Sequence, residues 1–110
     1  MGATTRLDVL KEVEVFPGIF RKTMSYAAEA MLCHFLMKKG AKVPPHSHVA
    51  AQVGYVVSGS VRFSFGDGRS AVMNPGSSYP FDSMETHSAE VLDEAEVIEC
   101  FSPMRQEYVV

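Results

Sequence analysis

The sequence has few cysteines, no run of basic residues and no long apolar stretch. Its net charge of −3 comes from dispersed residues, so we expect no nucleic acid partner and no binding to an anionic membrane surface. A bilayer-spanning helix needs roughly 18 apolar residues, and no stretch approaches this length. The N terminus also lacks the apolar core of a signal peptide. We therefore predict a cytoplasmic protein with no membrane partner.

Only two cysteines are present, Cys33 and Cys100, and each lies in an apolar, strand-like run. Neither has a second thiol at the spacing of a zinc site. We predict that both are small buried residues in a reducing compartment.

With 110 residues, 46% of them hydrophobic, the chain has room for one compact domain. Gly and Pro interrupt it at short intervals, and the runs between them are rich in β-branched and aromatic residues. This pattern predicts an all-β sandwich or barrel. The predicted strands are residues 13–16, 20–25, 31–37, 52–57, 60–65, 69–73, 87–92 and 96–101.

Two dipeptides, Ser58-Gly59 and Asp67-Gly68, each separate two of these runs and predict hairpin turns, because glycine accepts a positive φ. Together they would join three consecutive antiparallel strands. Residues 26–31 favour a helix by propensity but are too short to form one alone. We predict a helical turn between strands there.

Two of the four histidines, His46 and His48, lie close to Gln52 and beside a stiff Pro-Pro pair. The three residues share parity, so on extended backbone their side chains leave by the same face. Two imidazoles one residue apart can turn onto one ion, and Gln52 would add a carbonyl oxygen. His87, from a later strand, is the candidate for a third imidazole. His34 is expected to have a structural role in the barrel wall.

These four residues predict a site for one divalent transition-metal ion. Nitrogen and oxygen donors without a thiolate fit Mn, Fe, Co, Ni, Cu or Zn. Because all four ligands are neutral, the charge of the ion would stay uncompensated by them, so it would attract oxyanions. We expect one or two open coordination positions for substrate or water.

The spacing of this segment resembles the first motif of the cupin superfamily. Five residues match its intervals, with Gln in place of the more common Glu: Gly40, His46, His48, Gln52 and Gly59. Three more residues resemble the second motif, with a longer interval before the histidine: Gly76, Pro80 and His87. The resemblance implies a cupin double-stranded β-helix, or jelly-roll barrel, over residues 1–110, with its metal-binding core at about residues 30–103.

The C-terminal segment adds an acid, an aromatic residue and a guanidinium. Glu99 and Phe101 share one face of the last predicted strand, and the Ser-Pro step after it lets Arg105 lean back toward the barrel mouth. We predict a pocket for a small carboxylated, sugar-like substrate, with Arg105 binding the carboxylate and Glu99 transferring a proton. The alternative is a solvated Glu99 and a surface ion pair of Arg105.

This ending, together with the histidine segment, resembles the pectin-degradation cupins. Those proteins convert unsaturated uronates from pectin or alginate breakdown into linear keto forms. The resemblance implies that Glu99, Phe101 and Arg105 line the active site, and that Asp is usual where this chain has Glu99.

Two other functions stay open. The same ligand frame suits another cupin metalloenzyme, such as an iron-dependent dioxygenase. The second alternative is a non-enzymatic module that binds a metal or a sugar. For assembly we expect a homodimer, because the alternating segment 11–15 is suited to extend the sheet of a partner and cupins of this size are commonly dimeric.

Overall fold

The computed structural model describes residues 2–109, in which eight β-strands are flanked by two short 3-10 helices, Leu7–Val9 and Gln106–Tyr108. Within these residues, no helix has the length and apolar character needed to cross a membrane. The strands are β1 (Val13–Phe16), β2 (Ile19–Ala27), β3 (Ala30–Met37), β4 (Lys42–His46), β5 (Ala51–Ser64), β6 (Ser70–Met73), β7 (Ser78–Phe81) and β8 (His87–Ser102).

All strand pairs are antiparallel, and the main sheet has the order β1-β2-β3-β8-β5-β6. Two further strands join it, since β4 pairs with β8 and β7 pairs with β5. The long strand β8 pairs with β4 over its first part, with β3 over its second part and with β5 along nearly its whole length. Strand β8 therefore connects the two halves of the sheet, and the predicted all-β jelly-roll fold is confirmed.

Burial alternates along β8, because successive side chains of a strand point to opposite faces. Glu99 and Phe101 point into the barrel and are almost fully buried, whereas Cys100 between them is only partly buried. Cys33 is buried and both thiols are free. The prediction that both cysteines are buried is therefore wrong for Cys100, which lies on the outer face.

A cluster of aromatic side chains fills one side of the barrel. Phe63 packs on Tyr79 with ring centroids 4.2 Å apart, and Phe65 lies 5.2 Å from Phe81. Phe81 in turn stacks on His87, with centroids 4.1 Å apart and an interplanar angle of 10°. The core therefore extends directly to one of the predicted metal ligands and restricts the orientation of its ring.

The hairpin predicted at Ser58-Gly59 is wrong. The chain continues through Gly59 as the single strand β5, and the pairing of β5 with β8 shifts register on both sides of this residue. Gly59 has a φ of +77°, and it forms part of a bulged stretch that bends the strand. The predicted strands 87–92 and 96–101 are likewise parts of one strand, β8.

The second predicted turn, at Asp67-Gly68, does connect two paired strands, β5 and β6. Phe65 N–H donates to the Arg69 carbonyl at 2.8 Å across it. The helical turn predicted for residues 26–31 is wrong, because Ala27 pairs with Ala30 in a tight hairpin between β2 and β3. Pairing with neighbouring strands outweighs the helix propensity of this short segment. Two strands, β4 and β7, were not predicted.

Candidate metal centre and adjoining pocket

Three histidines meet at one end of the barrel. His46 ends β4, His87 begins β8, and the two residues are paired across these strands. His48 follows in the loop before β5. The ring centroids of His46 and His87 lie 4.3 Å apart, and one ring nitrogen from each of the three residues lies within 4.8 Å of the others. Small ring rotations would bring all three nitrogens onto one ion.

Each of these imidazoles donates a hydrogen bond from Nδ1 to a backbone carbonyl. The acceptors are the carbonyl oxygens of Pro44 for His46 at 2.9 Å, Ala50 for His48 at 2.7 Å and Glu85 for His87 at 2.8 Å. A neutral imidazole has a single N–H, so Nε2 of each ring carries a lone pair. This is the tautomer that a metal ion binds through Nε2.

The environment keeps two of these rings neutral. Burial lowers the pKa of His87 to about 4. The pKa of His48 is also lowered, by burial and then by the positive charge of Arg105. Among the described residues, Nε2 of His87 is buried without a hydrogen-bond partner. A cation fits this nitrogen, because an unsatisfied buried acceptor is costly and a cation would pair with its lone pair.

Gln52 on β5 lies beside the histidines. Its Nε2 donates to Oε2 of Glu99 at 2.6 Å, and its Oε1 lies 3.1 Å from Nε2 of His48. With Nδ1–H of His48 already donated to a carbonyl, both facing atoms are acceptors, and a cation beside them would relieve their repulsion. The structure thus brings together all four residues predicted as ligands, and their chemistry fits a divalent transition metal.

Glu99 is buried behind Gln52. Its Oε2 accepts a second hydrogen bond from the hydroxyl of Tyr79, also at 2.6 Å. Burial raises the pKa of the Glu99 carboxyl. Burial and the charge of Glu99 raise the pKa of the Tyr79 phenol well above 10, so this hydroxyl stays protonated and donates. The predicted acid therefore lies in a hydrogen-bonded network and is not solvated.

Sequence reasoning missed Tyr79, although one signal for it was present. Tyr79 on β7 pairs with Gly54 on β5, which pairs with Glu99 on β8, so the three residues form one row across the sheet. A Cβ on Gly54 would overlap the phenol ring of Tyr79. A glycine inside a strand is a known sign of such a close approach.

Phe101 and Arg105 adjoin the histidines. Phe101 is almost fully buried, and its ring meets that of His48 edge-on with centroids 5.9 Å apart. The guanidinium carbon of Arg105 lies 4.1 Å from the ring centroid of Tyr108 and 5.3 Å from that of Phe101. Its Nε donates to Glu107 at 2.9 Å, and its side chain is only 14% exposed. Arg105 therefore leans back over the barrel, as predicted, although it also forms an ion pair.

One pocket contains most of the predicted site. It is lined by His46, Gln52, His87, Glu99, Phe101 and Arg105, together with apolar residues and the previously unrecognised Tyr108. His48 borders an adjoining surface depression that shares Arg105 with this pocket. His34 lies apart on β3, where its Nε2 is 2.6 Å from a carboxylate oxygen of Glu96, in agreement with a role in the barrel wall.

Comparison with known proteins agrees with this geometry. The family described as "Cupin domain" matches residues 33–101. The pectin degradation protein KdgF of Dickeya dadantii is 31% identical over 98 residues, which cover 87% of this chain and 88% of that protein. The structure of KdgF from Halomonas sp. superposes with a TM-score of 0.91 at 28% identity, covering 99% of this chain and 100% of that one. An RmlC-like cupin from Shewanella frigidimarina gives a TM-score of 0.90 at 26% identity, over 96% and 95% of the two chains. The resemblance to small pectin-degradation cupins is confirmed, and this chain belongs to the cupin family.

Proposed function

We propose that this chain is a metal-dependent enzyme that opens and ketonises 4,5-unsaturated uronates released from pectin or alginate. The observation that carries the proposal is that an acid, an aromatic wall and a guanidinium line the same pocket as the imidazole and amide donors. Similarity to two KdgF proteins, one of them named as a pectin degradation protein, supports the substrate class.

The metal would be held by the Nε2 atoms of His46, His48 and His87 and by Oε1 of Gln52. This neutral nitrogen and oxygen set suits Mn, Fe, Co, Ni, Cu or Zn. Bound there, the ion would act as a Lewis acid toward oxygen atoms of the substrate.

Arg105 is the proposed anchor for the substrate carboxylate. A guanidinium presents two parallel N–H donors to a carboxylate, which fixes both its position and its orientation. Stacking on Tyr108 and the bond to Glu107 hold the Arg105 side chain over the pocket. Phe101 forms an apolar wall next to it and limits access of water.

Glu99 is the proposed proton-transfer group. Opening the cyclic hemiacetal breaks the bond between C1 and the ring oxygen and removes the proton of the C1 hydroxyl. The released enolate then becomes a ketone by gaining this proton at C4. The net change is the movement of one proton, and neither water nor a redox partner is consumed. Burial raises the pKa of the Glu99 carboxyl, which makes it a better proton acceptor than an ordinary carboxylate and suits it to accept and return this proton.

We also propose that the protein acts as a homodimer. The strand β1 stands at one end of the main sheet order, where its outer edge is positioned to pair with a second copy. This supports the expectation from segment 11–15 that the N-terminal region extends a partner's sheet.

The function is tested by metal analysis of the purified protein together with an ultraviolet assay for the conjugated double bond of an unsaturated uronate. We expect about one metal ion per chain and a metal-dependent loss of the absorbance, with chelated protein as the control. Iron-dependent oxygen consumption without loss of the double bond would instead indicate a dioxygenase. Tight uronate binding without turnover would indicate a binding module, and either result would overturn the proposal.

A further inference from the structure

A buried carboxylate lies directly behind the amide that faces the histidines. Oε2 of Glu99 accepts hydrogen bonds from both Gln52 Nε2 and the Tyr79 hydroxyl, each at 2.6 Å. Gln52, Glu99 and Tyr79 are 6%, 4% and 2% exposed. Water therefore has little access to these bonds, and Gln52 and Tyr79 both depend on Glu99 as their acceptor.

We propose that Glu99 and Tyr79 are positioning residues for the metal site. Glu99 orients the Gln52 amide so that the amide oxygen faces the histidines. Glu99 also lies directly behind Gln52 and supplies the negative charge that this neutral ligand lacks. Tyr79 holds the Glu99 carboxylate in place. This inference rests on the proposed metal site but not on the proposed substrate.

Orientation matters because the two ends of an amide have nearly the same shape and opposite hydrogen-bonding character. If the Gln52 amide were reversed, it would present N–H groups to a cation. A carboxylate oxygen only accepts, so the bond to Glu99 Oε2 forces the amide nitrogen toward Glu99. The oxygen then lies on the side of His48, 3.1 Å from its Nε2.

The position of Tyr79 is fixed from several sides. Its ring packs on Phe63 and Phe81, with centroids 4.2 and 5.7 Å away. The absence of a side chain at Gly54 provides the space in which the phenol lies. A hydroxyl held this firmly is a directional donor, and it restricts the Glu99 carboxylate to the orientation in which Oε2 also meets Gln52.

Exchanging the two polar groups gives the sharpest test. Bound metal is first removed from the protein with a chelator. The affinity of the metal-free protein for Zn²⁺ and Co²⁺ is then measured by competition with a chromophoric chelator. The absorption spectrum of the Co²⁺-loaded protein reports the ligand geometry. Glu99→Gln alone should weaken binding about 10- to 100-fold, the range found when partners of metal ligands are changed. Gln52→Glu combined with Glu99→Gln should recover affinity to within a few-fold of the parent protein, because the carboxylate then binds directly and the amide behind it donates to it.

Tyr79→Phe retains the ring and removes the hydroxyl, so it should weaken Zn²⁺ binding several-fold and alter the Co²⁺ spectrum. Tyr55→Phe is the matched control, because Tyr55 lies half exposed on β5 and should change neither. Circular dichroism confirms folding of each variant. Equal affinity of the parent and Glu99→Gln proteins would overturn the role of Glu99. Equal Zn²⁺ affinities and Co²⁺ spectra of the two tyrosine variants would overturn the role of Tyr79.

These readouts separate this inference from the proposed function. If the parent protein binds Zn²⁺ or Co²⁺ and responds to the substitutions as expected, the positioning role stands even where no uronate is converted. If the parent protein binds neither ion, the metal site and this inference both fail. The double variant should bind metal and yet lack turnover, because the proposed proton-transfer group has been moved.

Discussion

The three imidazoles of the candidate metal centre are oriented by neighbours in the chain. Each Nδ1–H reaches the carbonyl of a residue two positions away, before it in His46 and His87 and after it in His48. The tautomer that leaves Nε2 available is therefore set locally, by short loops and strand ends. Only the meeting of the three rings requires the whole barrel.

Arg105→Ala should raise KM for an unsaturated uronate about 10- to 100-fold, because hydrogen bonds to charged groups contribute about 1.5–3 kcal/mol. The loss of thermal stability should be modest, since the ion pair with the largely exposed Glu107 contributes at most about 1 kcal/mol and the stacking on Tyr108 about 0.5–2 kcal/mol. Steady-state kinetics and thermal unfolding measure the two effects. Arg62→Ala, which breaks an exposed pair with Glu90, is the control. A loss of stability with unchanged kinetics would contradict the assigned role.

Cys33 should resist thiol reagents in the folded protein. Burial raises the pKa of this thiol from 9.0 to about 11, so at pH 8 only about one molecule in a thousand carries the reactive thiolate. Labelling with a disulfide reagent followed by mass mapping should show Cys100 modified first, and both thiols modified after denaturation. Because the thiol of the unfolded chain ionises near pH 9.0 and that of the folded protein only near 11, the contribution of Cys33 to the free energy of unfolding is fully present below pH 9.0. This contribution should decline as the pH rises toward 11. Rapid native labelling of Cys33 would contradict the prediction.

At the scale of secondary structure, the site depends on two long bent strands and one short one. Pairing of β4 with β8 places His46 opposite His87. Pairing of β8 with β5 places Phe101 opposite Gln52 and Glu99 opposite Gly54. The polar and aromatic groups of the pocket are therefore brought together by strand register, so a shift of one residue would turn them to the other face of the sheet.

Gly59→Ala should destabilise the fold more than Gly68→Ala. Both glycines have positive φ, at +77° and +90°, which costs an alanine about 1–2 kcal/mol. A Cβ on Gly59 would also overlap the Glu94 carbonyl and lie 2.6 Å from Cα of Ala95, whereas one on Gly68 would meet no atom within 4 Å. Urea unfolding of the two variants measures the difference. Equal free energies of unfolding would show that the bulge in β5 adapts freely.

At the scale of the whole molecule, the proposed dimer would form through the edge of β1, which stands at one end of the main sheet order. We expect the purified protein to have twice the chain mass of 12.1 kDa in size-exclusion chromatography with light scattering. Deletion of residues 1–12 retains β1 and should leave a dimer if that strand makes the contact. A monomer mass for the full chain would contradict the proposed pairing.

The sequence alone located six of the eight strands, two of them as separate halves, and it pointed to four candidate metal ligands that the structure brings together, because these depend on short-range signals. Alternation of apolar and polar residues gives strands, and the spacing of His46, His48 and Gln52 gives a common direction. Propensity failed at residues 26–31 and at Gly59. In both places the local sequence allows more than one backbone conformation: a turn or a bulge at Gly59, and a helical turn or a hairpin at residues 26–31. Pairing with another strand selects between them.

What the sequence by itself determined is thus the all-β composition, the donor set and the C-terminal acid, aromatic and guanidinium. Only the tertiary structure decided that Tyr79 and Glu99 support Gln52, that Tyr108 lies beneath Arg105, and that Gly59 bends a strand. The physical reason is that these contacts depend on hydrogen-bond register and burial between segments far apart in the chain. Local periodicity carries no information on either.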